Sequence, residues 1–163
     1  MKVKITLPFS LLKTSLLSYE NLKEVAFFYF QNGSPLEGLR SFYIPLLNHT
    51  AYVFFISEQT KVYSHDHTCT NPGLYENSKS LATEMQTVMC AFRYCMANLA
   101  DDDEEEDMVE TSTNQILSEE LSDHSECSKR AFRDCQTIRS TVEYLRELIK
   151  CLGMLNFDSE SDS

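Results

Sequence analysis

The stretch SFYIPLLNHTAYVFFIS, residues 41–57, decides the fold of this 163-residue chain. It reads as two apolar runs, Ser41 to Leu47 and Ala51 to Ser57, parted by Asn48-His49-Thr50. Runs of that length around a short polar tripeptide predict an antiparallel pair of strands. Pro45 has no amide hydrogen, so its strand belongs at a sheet edge or a bulge. Toward the N-terminus, Val25 to Gln31 is an aromatic run closed by Asn32-Gly33, a dipeptide favoured in two-residue hairpin turns. Lys2 to Leu7 alternates Val3, Ile5 and Leu7 with Lys2, Lys4 and Thr6, the period of a half-buried strand. Between these, Phe9, Leu12, Leu16, Tyr19 and Leu22 recur at helical spacing over Phe9 to Lys23. A short strand is expected at Lys61 to Tyr63 and a loop over Thr68 to Glu76, which holds Asn71-Pro72-Gly73.

Asn77 to Leu99 carries a clear helical stripe: Leu81, Met85, Val88, Phe92, Cys95 and Leu99 are spaced at four and three, which packs one helix face on one surface. Carboxylates disfavour the negative end of a helix dipole, so the acidic run from Asp101 ends the helix by Ala100. The expectation for residues 1–100 is an α+β fold, a small antiparallel sheet with helical cover.

Charge divides the rest. Residues 1–100 hold eight Lys/Arg and seven Asp/Glu, residues 101–126 hold twelve acids and no base, and residues 127–163 hold six of each. The net charge of -11 therefore sits in one stretch. Residues 101–126 read as an acidic flexible linker, with Asp101, Asp102, Asp103, Glu104, Glu105, Glu106 and Asp107 available to dock a basic partner surface. Residues 127–153 read as a C-terminal heptad helix whose seam is Ala131, Cys135, Ile138, Val142, Leu145, Ile149 and Leu152, ended by Gly153. A seam of that kind is expected to bind a protein partner, as a homo- or hetero-oligomer, or to fold back on the helix before the linker. The tail, residues 154–163, alternates acids and serines, and Ser159 with Asp162 three residues on has the pattern acidophilic kinases favour.

Chemistry-bearing groups are few. His65, His67 and Cys69 would point to one side of an extended segment and could present three zinc ligands, with Cys90 or Cys95 as a fourth. No Cys-x-x-Cys pair accompanies them. Cys90 and Cys95 fall on an apolar helix where a thiol is inert, and the four glycines form no phosphate-cradling loop, so no enzyme and no cofactor is expected. Even numbers of cysteines can form a disulfide framework. Here, however, three of the six fall on helix faces, and reduced thiols in nucleus or cytoplasm are the simpler reading.

No apolar run approaches the roughly 18 residues of a membrane helix. Pro8 and Lys13 interrupt the only leader-like segment, Met1 to Ser18. Asn32-Gly33-Ser34 and Asn48-His49-Thr50 match the glycosylation pattern and are read as turn chemistry. A near-neutral domain and an anionic connector give no footprint for direct nucleic-acid binding. The functional expectation is a non-enzymatic adaptor or subunit of a multiprotein complex; the alternatives are a zinc-binding module on His65, His67 and Cys69, or a small secreted effector with disulfides.

Overall fold

A computed structural model describes residues 17–29, 33–62, 72–100 and 126–153. These hold four helices: α1 (Tyr19–Tyr29), α2 (Pro35–Val62), α3 (Pro72–Leu99) and α4 (Cys127–Gly153). No strand occurs among the described residues, so the expected antiparallel sheet is corrected to an all-helical fold. The segment Lys2 to Leu7 lies outside the described residues.

The region read as two strands is the middle of α2, a helix about 42 Å long at 1.5 Å per residue. Its buried column is Leu39, Tyr43, Leu46, Thr50, Val53 and Ser57, spaced at four and three. Two of those six positions are polar, which hides the helical period behind the apparent tripeptide break. Both hydroxyls are satisfied locally, Thr50 donating to the Leu46 carbonyl at 2.7 Å and Ser57 to the Phe54 carbonyl at 2.7 Å, and so cost little inside the core. Asn48-His49-Thr50 is thus helix interior, not a turn. Lys61 and Val62, read as a strand, end the same helix.

Helix starts carry their own signals. Ser34 caps α2, its hydroxyl accepting from the Glu37 amide at 3.2 Å and its carbonyl from Gly38 at 3.1 Å. Pro35 occupies the first helical position, where its missing donor is harmless. Ser18 caps α1 in the same way through the amides of Asn21 and Leu22. No glycine among the described residues has a positive φ, so the hairpin turn expected at Asn32-Gly33 does not form at Gly33. Val25 and Ala26 instead join Asn21 and Leu22 on the buried face of α1. Pro72 opens α3, which makes Leu74 to Glu76 helical where a loop was expected.

One core serves all four helices. Leu22, Val25 and Ala26 of α1, Leu46, Val53 and Ile56 of α2, Leu81, Met85, Val88 and Phe92 of α3, and Ile138, Leu145, Leu148 and Leu152 of α4 belong to a single buried cluster. The closest packing is between α2 and α3. α4 runs antiparallel to α2, because Gln59 meets Arg133, His49 meets Thr141 and Phe42 meets Tyr144. α1 ties one end together. Tyr19 accepts at its carbonyl from the Cys95 thiol of α3, Asn21 donates its amide to the Leu152 carbonyl at the end of α4, and Tyr29 packs edge-on to Phe42 of α2.

Candidate partner surface and the α2–α4 seam

The apolar stripe expected on α4 folds against its own chain, with part of it displaced by one residue. Ile138, Leu145 and Leu152 are buried as expected of a seam, whereas Ala131 and Cys135 are exposed and Val142 and Ile149 only half-buried. Buried in the places of those four are the residues one earlier, Arg130, Asp134, Thr141 and Leu148, a rotation of about 100° for that column.

Contacts with α2 explain the rotation. Arg133 donates to the Gln59 side-chain oxygen at 2.6 Å and to Asp134 Oδ1 at 2.7 Å, and its guanidinium lies over the Phe55 ring at 5.3 Å. Burial pushes the Asp134 carboxyl above its usual range, with Arg133 and Arg130 pulling it back. About two turns further, Thr141, fully buried, pairs its hydroxyl with His49 Nδ1 at 3.0 Å. The His49 ring stacks on Tyr144 at 4.6 Å and 17°. The Tyr144 hydroxyl donates to the Phe42 carbonyl at 2.9 Å. That carbonyl is adjacent to the Ser41 carbonyl, which Pro45 leaves without its helical donor. A proline inside a helix opens the hydrogen-bond ladder at this point and makes room for an outside donor. Rotating α4 to present Cys135 and Val142 instead would leave these polar groups of α2 unmatched.

Beside this seam an aromatic surface remains open. Phe27 is 63% exposed and Phe28 49% exposed at the end of α1, and the rings of Phe28, Tyr29 and Phe42 follow one another at 5.4 and 5.8 Å. Tyr29 also lies beside Cys151 near the end of α4, whose thiol raises the Tyr29 phenol above its ordinary value. The patch therefore spans three helices at the end that α1 closes. Ile44 and Phe54 on α2, Tyr94 on α3 and Phe132 on α4 are also exposed. Phe27 and Phe28 were legible as an aromatic run, but reading them as a strand gave them a covered face.

The remaining expected sites fall as follows. Asp101 to Asp107 and Ser159 lie outside the described residues, as do His65, His67 and Cys69. Among the described residues no group of three His, Cys, Asp or Glu side chains could hold a metal ion. Cys95 is fully buried, and desolvation pushes its thiol up to about 11, which leaves it unreactive. Cys90, Cys95, Cys135 and Cys151 are free thiols, but Cys127 is disulfide-bonded, which corrects the reading of all six as reduced. Titration of the unfolded, unreduced chain should accordingly find four thiols, and six would remove the disulfide. The second glycosylation pattern is also poorly placed, since Thr50 is buried and bonded within α2. No described helix is long and apolar enough to cross a membrane. No family model matches the chain, and neither curated proteins nor solved structures give a match.

Proposed function

We propose that this protein is a non-enzymatic helical interaction module, an adaptor or subunit of a multiprotein complex, that engages a protein partner through the aromatic end formed by α1 and α2. The observation that carries this reading is the exposed run Phe27, Phe28 and Tyr29 with Phe42 against it. Aromatic side chains are enriched at the centres of protein interfaces, and contiguous exposed ones on a stable bundle call for cover. Because the core columns of α4 are taken up in cis, the partner meets outward residues and not the heptad seam. The acidic stretch 101–126 supplies a second, electrostatic contact to a basic surface, and a nuclear or cytoplasmic location fits reduced Cys90, Cys135 and Cys151.

Quantitative co-purification from cells tests it, with Phe27→Ser/Phe28→Ser set against Tyr94→Ser, both checked for helicity by circular dichroism. Loss of the same associated proteins with the α1 variant, and their retention with the α3 variant, is the expected result. An unchanged set of associated proteins would end the proposal.

The disulfide at Cys127 favours a second reading, a small secreted effector, since disulfides persist in oxidising compartments. Four thiols in protein taken directly from its cells under alkylating conditions would favour that reading, and six the first.

A further inference from the structure

The α2–α4 seam places an imidazole where a charge is poorly tolerated. His49 faces Thr141 and Tyr144 of α4, and the crevice beside it is lined by Tyr52 of its own helix and by Gln136, Thr137 and Ser140 of α4. Among the described residues, the titratable groups that face it are the phenols of Tyr52 and Tyr144. No carboxylate is among the described residues that line the crevice, and the buried Asp134 further along α4 is engaged by Arg133. Desolvation by burial is the cause that acts on the ring. Among the described residues, an imidazolium here would have only the rings of Tyr144 and Tyr52 beside it, and no carboxylate.

We propose that His49 makes the docking of α4 on α2 acid-sensitive: protonation of the ring loosens α4 around Thr141 and Tyr144 while α1, α2 and α3 keep their common core. The neutral ring satisfies the buried Thr141 hydroxyl and lies flat on Tyr144, which in turn reaches the Phe42 carbonyl. Charging it draws water into the seam at the middle of that chain of contacts. The apolar lower part, Leu145, Leu148 and Leu152, and the cap from Asn21 to Leu152 retain one end of α4 and the disulfide at Cys127 tethers the other, so the loosening is centred between them.

The sign follows from linkage. Desolvation lowers the titration of docked His49 below the ordinary 6.5. Between that lowered value and 6.5 the undocked state binds more protons, so docking is strongest above 6.5 and weakens as pH falls through it. Each unit of lowering changes the docking equilibrium by roughly tenfold at most. Asp134 and Glu84 have the opposite sign. Burial raises both carboxyls, so acid favours the folded form through them, in the lower range where carboxylates titrate.

The test is amide hydrogen exchange of the full chain at pH 7.5 and 5.5, corrected for intrinsic rates, with the His49 ring resonances followed by NMR through the same range. Protection of α4 amides around 133–144 should fall at the lower pH while those around Val88 and Phe92 in α3 hold, and His49 should titrate below 6.5. His49→Gln should abolish the pH dependence. Equal protection of α4 at both pH values, a His49 titration at or above 6.5, or a dependence that survives in His49→Gln would overturn the proposal. The NMR titration of the unaltered protein decides it even if the variant does not fold.

Discussion

Leu145→Asp is expected to cost more than about 4 kcal/mol, the sum of a lost buried leucine and a carboxylate placed where nothing balances it. Leu145 is 1% exposed at the heart of the α4 face. Against a total stability of about 5–15 kcal/mol, such a loss unfolds α4 or the whole bundle at ordinary temperature. Its companion is Cys135→Glu. A heptad read from apolar residues alone puts both positions on one seam, but Cys135 is exposed and has Arg139 four residues on. That change should stay within about 0.5 kcal/mol. Urea unfolding followed by circular dichroism compares the two. Similar losses would mean that α4 docks in the register of its apolar stripe, and the polar seam to α2 would be wrong.

The second large effect is expected at Phe92. It is the bulkiest fully buried side chain among the described residues, at 0% exposure on α3. Phe92→Ala should lose about 3–5 kcal/mol, because the emptied volume adds a cavity to the lost transfer energy. For a chain of this size that is a fall in Tm of roughly 10 °C or more. Tyr94→Ala, two residues along the same helix but 66% exposed, should move Tm little. Comparable shifts for the two would place the α3 face wrongly.

How much of this was legible depended on whether core positions were held by apolar side chains. In α3 the stripe Leu81, Met85, Val88, Phe92 and Cys95 is uninterrupted, and all five are buried. In α2 the same spacing is present, but Thr50 and Ser57 stand in it, and a reader weighing hydropathy sees two short runs with a polar break. The aromatic and β-branched residues of 41–57 strengthen the error, since they favour strands when nothing else decides. Cap chemistry offered a correction. Ser34-Pro35-Leu36-Glu37 has a capping hydroxyl, a proline at the first helical position and an acid three residues after the serine, and it announces a helix directly upstream of the disputed stretch. A central proline argued against that helix. The proline leaves the Ser41 carbonyl without its helical donor, and the Tyr144 hydroxyl, 102 residues away, bonds the neighbouring Phe42 carbonyl.

The candidate surface was half legible for a related reason. That Phe27 and Phe28 are aromatic is a matter of sequence; that they stay in contact with water depends on α1 turning Leu22, Val25 and Ala26 inward. Cys127 shows the converse, since spacing could not tell a disulfide-bonded cysteine from four free ones.

By itself, the amino-acid order determined where charge collects, where α4 and the body of α3 from Asn77 to Leu99 run and which side chains could cap a helix start, because these depend on neighbours within one or two turns. Tertiary structure alone decided that 41–57 is helical, that α4 buries Asp134 and Thr141 in preference to Cys135 and Val142, and that His49 lies against Tyr144. Those outcomes turn on hydrogen-bond partners dozens of residues apart, and a buried polar group is stable only where the fold brings such a partner to it.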